Sequence, residues 1–157
     1  MRPLADQSFN ARRDSLVARL DRLGRVTVRD RGARHALRKL EMTLDIPGLD
    51  DEVGPPDQVR FRYEEWWRMS PLGWVRVRYH YDSIGLIVGG LWGFHLHPLP
   101  NHGREPVPHR VCVQPDGTGA GRHFAAHEVD LLATHEVFEA HYVGDEPIDC
   151  RDLTPID

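Results

Sequence analysis

The residues of this chain that could do chemistry are concentrated between His95 and His109. His95 and His97 are two residues apart, and a β-strand places residues at that spacing on the same face. His102 and His109 follow in a proline-containing loop and at the start of the next apolar run, where a reversal of the chain would bring either ring back to the pair. Three neutral imidazoles that leave one coordination position open suit zinc or a related transition metal. We therefore take His95, His97 and His102 as the candidate metal ligands.

The same segment also allows chemistry without a metal. Histidine titrates near neutrality, so two imidazoles can act as general base and general acid in one reaction. Cleavage of RNA through its 2'-hydroxyl would need such a pair and a cation that holds the phosphate. The catalytic candidates in this interpretation are His95, His97 and His109. The candidate substrate-binding residues are Arg78, His80, Arg104 and Arg110. The plain alternative is that these histidines are ordinary polar side chains of a strand and a loop.

Two common metal motifs do not match this chain. The order of Gly89, His95 and His97 is that of the start of the first cupin motif, but the glutamate expected shortly after the pair is absent. Glu128 and His135 of the C-terminal segment do not have the HExxH spacing of a zinc protease helix. The interpretation of the site therefore depends on the histidines of the strands and the loop between them, and not on a known metal motif.

The composition is that of a folded protein, with 40% hydrophobic and 28% charged residues. A chain of 157 residues is long enough for one domain with a substantial core. No apolar run approaches the roughly 18 residues of a transmembrane helix, and the first residues lack the apolar middle of a signal peptide. Cys112 and Cys150 are too few for a disulfide scaffold, so we expect reduced thiols, with a single bridge between them as the alternative. We therefore expect a cytoplasmic protein with no membrane partner.

The N-terminal part is predicted to be a helical arm. Residues 8–23 space their leucines at helical intervals before Gly24, which is typical of an amphipathic helix and its end. Residues 25–29 alternate like a short strand, and residues 33–43 fit either a second helix or a continuing strand. Proline, glycine and aspartate then exclude regular structure up to residue 58. We divide the chain into an arm at 1–46, a linker at 47–58 and a core domain at 59–157.

The core is predicted to be α+β. Apolar and polar residues alternate with period two over 59–64 and 74–82, around a turn with Ser70, Pro71 and Gly73, which indicates an antiparallel hairpin. Two further apolar runs, 86–96 and 109–113, are read as strands, and 125–142 has the spacing of a helix. We expect an antiparallel sheet of about four strands, with the C-terminal helix packed on one face and the other face left to solvent, the arm or a partner.

The order of these elements resembles that of the TumE-like family of small prokaryotic toxin-antitoxin proteins. The resemblance covers about residues 59–142, from the aromatic strand pair through a histidine and proline segment to a C-terminal helix. The matching positions are Tyr79, Tyr81, Asp82, His95, His97, Pro108 and His109. The resemblance implies a growth-inhibiting toxin that acts on RNA and is neutralised by a DNA-binding antitoxin.

Three functional hypotheses follow. The first is a TumE-like toxin that acts on RNA through the histidine and arginine site. The second is a metal-binding or small-ligand module that uses His95, His97 and His109, with zinc or another divalent transition metal as the cofactor. The third is a non-catalytic interaction protein. The expected partners are RNA, a helix-turn-helix antitoxin and a second copy of the chain. Whether the protein is an enzyme stays open.

Overall fold

An antiparallel sheet dominates the computed structural model, which describes residues 9–21, 25–34, 37–46, 59–86, 89–144 and 150–156. Its seven strands follow one another in sequence order, so each strand pairs with its chain neighbours, and the last strand has only two residues. One helix precedes the sheet and one follows it. The elements are α1 Phe9–Leu20, β1 Arg25–Arg34, β2 Leu37–Ile46, β3 Val59–Ser70, β4 Gly73–Gly85, β5 Leu91–His97, β6 Val107–Val113, β7 Phe124–Ala125 and α2 Leu131–Gly144.

The predicted α+β class, antiparallel sheet and C-terminal helix are confirmed, but the number of strands is larger than the predicted four. Two of the added strands, β1 and β2, come from the segment predicted as a helical arm. In β2, Leu40, Met42 and Leu44 are buried and alternate with partly exposed residues, which is the pattern of a strand with one face on the core. β2 pairs with β3 along its whole length, so this part of the predicted arm belongs to the sheet. The predicted linker at 47–58 lies outside the described residues.

Both helices pack on the same face of the sheet. Phe138 of α2 stacks on Phe61 and Tyr63 of β3, with ring centroids 5.7 and 6.4 Å apart. Leu16 and Leu20 of α1 are buried in the same apolar core. The helices thus cover the aromatic face of the sheet, and the face that carries the intervening polar residues is free of helices in the described part of the chain.

A disulfide bond joins Cys112 of β6 to Cys150. It ties the segment 150–156 to the sheet, where Pro155 also forms a bridge with Phe124. The expectation of reduced thiols is therefore wrong for this pair.

None of the described helices combines the length and the apolar character that crossing a membrane requires. The cytoplasmic location stays a prediction.

Candidate functional site

Strand register brings three histidines into one row on the helix-free face. His95 of β5 lies opposite His80 of β4 on one side and opposite His109 of β6 on the other. Directly opposed residues of antiparallel strands share a face and lie about 5 Å apart, so their side chains meet. His97 is two residues beyond His95 and lies on the same face. The period-two pattern that buries Tyr79 and Tyr81 under the helices thus turns the histidines toward the open face.

The imidazole rings of this row form one cluster. Ring centroids are 4.4 Å apart for His80 and His95, 5.1 Å for His80 and His97, and 5.8 Å for His95 and His97. His109 lies 4.5 Å from His97 and 5.6 Å from His95. His123, from the segment just before β7, adds a fifth ring 5.0 Å from His109. One ring nitrogen from each of His80, His95 and His97 lies within 4.8 Å of the other two.

Hydrogen bonds with acceptors define the tautomers of three rings. The Nδ1 atom of His97 lies 2.9 Å from the carbonyl oxygen of Pro98, and Nδ1 of His109 lies 2.9 Å from that of Val107. A carbonyl oxygen can only accept, so both Nδ1 atoms carry the hydrogen and both Nε2 atoms have a lone pair. In His95 the assignment is reversed, because Nε2 donates to the Asp82 carboxylate over 2.8 Å. Nδ1 is therefore the His95 atom with the lone pair.

His80 lies between the carboxylate of Glu64 and the guanidinium of Arg78. Its Nδ1 atom lies 3.6 Å from Oε2 of Glu64. Its Nε2 atom lies 3.3 Å from Nε and 3.2 Å from a terminal nitrogen of Arg78. A guanidinium can only donate, so Nε2 of His80 has the lone pair. Each of the four strand histidines therefore keeps one nitrogen that can accept a hydrogen bond or bind a metal.

His109 is the most enclosed of the four. Its side chain is 0% exposed. Its Nε2 atom is buried and has no hydrogen-bond partner among the described residues. Buried polar atoms in native proteins are nearly always satisfied, so an orphaned lone pair of this kind points to a ligand, an ion or a water molecule at that position.

Burial keeps the imidazoles of His80, His97 and His109 neutral. Desolvation, followed by the neighbouring His95 and Arg78, lowers the pKa of His80 to about 3. Desolvation also lowers the pKa of His109 to about 4, and the surrounding histidines add to the effect. The pKa of His97 is lowered for the same reasons. At neutral pH these rings are uncharged and each keeps a lone pair for a metal, but they are weak bases and are not protonated to act as acids.

Asp82 supports the cluster from the adjacent position of β4. Its side chain is 0% exposed, and its second oxygen accepts a hydrogen bond from Arg62 over 2.7 Å. Burial raises the pKa of Asp82, but the contacts with His95 and Arg62 outweigh burial and lower it, so the carboxylate is charged. Gly93 of β5 makes room for it, because a Cβ atom there would lie 2.4 Å from Oδ1 of Asp82.

The structure brings together some of the residues predicted for the site and separates others. His95, His97 and His109 share the cluster, with His80 and Arg78 beside them. His102 lies in the following loop, where its Nε2 atom donates to the carbonyl oxygen of Ile156 over 2.7 Å, and it is not part of the three-histidine group.

The other two predicted arginines are elsewhere. Arg110 lies on the opposite face of the sheet from His109, since its guanidinium is 4.9 Å from the centre of the Phe94 ring on the helix side. Arg104 is exposed in the loop before β6. Neither guanidinium contacts a histidine of the cluster in the described part of the chain.

Sequence reasoning missed the roles of Asp82 and His123 beside the histidines. The period-two pattern places Asp82 on the same face as His80, and this signal was available. His123 lies outside the regular strands, so no periodicity could place it.

A polar groove of about 360 Å³ lies on the same sheet face, over β1 to β3. Glu64 belongs to both features, since it lines the groove and faces His80. The groove is lined by Thr27, Glu41, Thr43, Asp45, Arg60, Arg62 and Glu64.

Comparison of the chain with protein-family models, curated proteins and solved structures gives no match. The resemblance to the TumE-like family therefore stays a prediction, and the function is argued from the geometry of the site.

Proposed function

We propose that this protein binds a divalent transition metal, with zinc as the best fit, through His80, His95 and His97. The observation that carries the proposal is the mutual approach of one nitrogen from each ring to within 4.8 Å. Nitrogen atoms bound to one zinc at about 2.0 Å lie about 3.3 Å apart, so small ring rotations would close the site.

The chemistry of the donors supports this function. Imidazole nitrogen suits zinc, copper, nickel and iron, and three histidines with one open position are typical of catalytic zinc sites. Metal-binding histidines usually donate their other N–H group to a carboxylate or a carbonyl. Asp82 and the Pro98 carbonyl do this for His95 and His97, and Glu64 faces the corresponding atom of His80.

His109 extends the donor set. Its orphaned Nε2 atom belongs to the ring beside His97, so it offers a further buried nitrogen next to the three-histidine group. Three histidine ligands leave the fourth position of a tetrahedral zinc open, as in catalytic sites. Binding of His109 as a fourth ligand would close the site, as in structural sites.

The test is the metal content of the purified protein. We expect one zinc per chain after loading and dialysis, measured by mass spectrometry of the metal. Alanine at His80, His95 or His97 should weaken binding by more than the tenfold to hundredfold typical of losing a supporting residue. Zinc should also raise the unfolding temperature of the parent protein and not that of these variants, because only a folded site binds it.

The matched control is His102→Ala. This histidine was a predicted ligand from the sequence, but its ring contacts Ile156 instead of the cluster. The variant should bind zinc like the parent protein. Absence of zinc binding by the parent, or equal affinity in the His80→Ala and parent proteins, would refute the proposed centre.

A second candidate is the predicted TumE-like toxin, which would act on RNA in the cytoplasm without a metal. The observation that favours it is the presence of Arg78 beside several imidazoles on one open face. The low pKa values of His80 and His109 leave both rings uncharged and weakly basic at neutral pH, whereas general acid–base catalysis works best when the pKa lies near the operating pH. We therefore rank this function second.

Induced expression in bacteria tests the toxin. We expect growth arrest that disappears in the His95→Ala, His97→Ala double variant and persists in His102→Ala. A neighbouring gene for a helix-turn-helix antitoxin should relieve the arrest. Normal growth at high expression of the parent protein would remove this candidate.

A further inference from the structure

Among the side chains that the structure describes, four cations lie on the helix-free face near the cluster, and three of them are paired with carboxylates. Lys39 pairs with Glu41 and, over 3.1 Å, with Glu64. Arg60 pairs with Asp45 over 2.6 Å, and Arg62 pairs with Asp82 over 2.7 Å. The fourth cation, Arg78, has no carboxylate within ion-pair distance among the described residues. It is the one whose positive charge is left beside the histidines.

Arg78 is held in position by two neighbours. Its guanidinium carbon lies 4.5 Å from the centre of the Trp66 ring, a favourable cation–π distance. Two of its nitrogens contact Nε2 of His80. A metal bound to His80 would use the same lone pair. The N–H groups of Arg78 would then lose their acceptor and lie free beside the metal.

We infer that the metal centre takes a phosphate group, which contacts the bound metal and the guanidinium of Arg78 together. The inference rests on the proposed metal-binding function. A divalent cation together with the Arg78 guanidinium outweighs the one carboxylate charge that the Lys39, Glu41 and Glu64 group leaves over, so a local excess of positive charge remains, which an anion would offset. A guanidinium presents a planar fork of donors that matches the oxygens of phosphate and carboxylate.

Phosphate fits better than carboxylate because of its oxygen count. A carboxylate has two oxygens, and a two-pronged contact with arginine uses both of them. A phosphate group can give two oxygens to Arg78 and still present another to the metal. The phosphate could belong to a small phosphorylated molecule or to an RNA backbone, and both sources share this chemistry.

The experiment is calorimetric titration of the full chain carrying one equivalent of zinc and no excess metal. Separate titrations use inorganic phosphate, acetate and a short single-stranded RNA. We expect phosphate to bind once per chain and acetate to bind more weakly. Arg78→Gln should weaken phosphate binding by about tenfold to hundredfold, the usual effect of losing hydrogen bonds to a charged group. Arg78→Lys should recover part of the loss, because lysine restores the charge without the fork.

The matched control is Arg110→Gln. This arginine is also half-buried on a central strand but lies over Phe94 on the opposite face. It should leave phosphate affinity unchanged. Equal phosphate affinity in Arg78→Gln and the parent protein, or equal affinity for acetate and phosphate, would overturn the inference. RNA binding that is tighter than phosphate and needs Arg78 would assign the phosphate to a nucleic acid, and binding of free phosphate alone would assign it to a small molecule.

Zinc content is measured in every variant before titration. Arg78→Gln should keep its zinc, because its guanidinium is not among the proposed ligands. Loss of phosphate binding with zinc in place supports the anion site, whereas failure of the parent protein to hold zinc refutes the metal centre and the inference that rests on it.

Discussion

The neighbours of each imidazole decide what the ring can do. His95 and His97 have the same side chain, yet Asp82 gives one of them a lone pair on Nδ1 and the Pro98 carbonyl gives the other a lone pair on Nε2. The acceptor thus selects which nitrogen faces a ligand. Burial then keeps the ring of His97 neutral by lowering its pKa. A variant that disturbs one of these acceptors should therefore lower the affinity for zinc although every histidine is still present.

Gly93→Ala tests this dependence on Asp82. The added methyl group would clash with Oδ1 of Asp82 and also lie 2.8 Å from the Tyr81 carbonyl oxygen, so it should push the carboxylate away from His95 and shift the paired strands. We expect zinc affinity to fall by about tenfold to hundredfold, as for loss of a supporting carboxylate. Asp82→Asn should cause a similar loss, and Asp45→Asn, whose carboxylate pairs with Arg60, should cause none.

The double variant gives the control for this prediction. If Gly93 acts only through Asp82, combining Gly93→Ala with Asp82→Asn should weaken zinc binding no further than either change alone. Additive losses would show that the glycine acts by another route.

At the scale of the elements, a buried polar network joins β3 and β4 to the segment before α2. Glu65 is 0% exposed and accepts hydrogen bonds from Tyr81 over 2.6 Å and from Trp67 over 3.0 Å. Arg76 donates to Tyr81 and to the Val129 carbonyl. The network lies on the helix side of the sheet, so it stabilises the support of the histidine site and not the site itself.

Arg76→Met should destabilise the protein strongly. It leaves the Glu65 carboxylate buried without its cation, and breaking a buried pair from one side typically costs about 3–5 kcal/mol. Arg60→Met removes an exposed pair with Asp45 and should cost at most about 1 kcal/mol. Urea denaturation of the two variants measures the difference, and equal effects would contradict the assigned role of the network.

The contact between α2 and β3 should make stability depend on pH. Nδ1 of His135 lies 2.6 Å from the Tyr63 hydroxyl, and burial lowers the pKa of His135 below its usual value of 6.5, with Arg19 adding to the effect and Glu139 and Glu136 opposing it. The unfolded chain therefore binds a proton that the folded chain rejects, and the free energy of unfolding falls as the pH drops below 6.5.

His135→Gln should reduce this fall. A single ring contributes at most about 1.4 kcal/mol per pH unit, so the variant should lose less stability than the parent between neutral and mildly acidic pH. His127→Gln, at an exposed position before α2, should follow the parent. Parallel pH curves for all three proteins, measured by chemical denaturation, would argue against a role of His135.

At the scale of the whole molecule, the disulfide joins two residues 38 positions apart in the sequence and closes a loop that includes β7 and α2. Such a bond stabilises mainly by restricting the unfolded chain, typically by about 2–4 kcal/mol. We expect no titratable thiol in the native oxidised protein and a corresponding loss of stability in Cys112→Ser, Cys150→Ser. Two reactive thiols in air-purified protein would contradict the bond.

The state of the two cysteines in the cell reports the compartment of the protein. Disulfides persist in oxidising compartments and are reduced in most cytosols. Protein trapped with a thiol-blocking reagent in its native cells should be oxidised if it lies outside the cytosol. Reduced thiols in that sample would support the cytoplasmic location that the sequence predicts.

Much of the architecture was predictable because it depends on local periodicity. Alternation over 74–82 identified β4, the spacing of two residues placed His95 and His97 on one face, and the apolar pattern near the C-terminus identified α2. These features need only the geometry of one strand or one helix. The same alternation could have placed Arg110 opposite to His109, since the two are adjacent in a strand.

Only the tertiary structure decided which strands are neighbours and in which register. Register puts His80 and His109 on either side of His95. It pairs Asp82 with Gly93, whose missing side chain leaves room for the carboxylate. It also brings β2 into the sheet and leaves His102 in a loop away from the cluster. Period two tells which face a side chain occupies, but pairing between strands depends on hydrogen bonds and packing between distant parts of the chain. That is why the sequence alone proposed His95 and His97 as metal ligands, whereas the fold groups them with His80, which the sequence had placed among the substrate-binding residues.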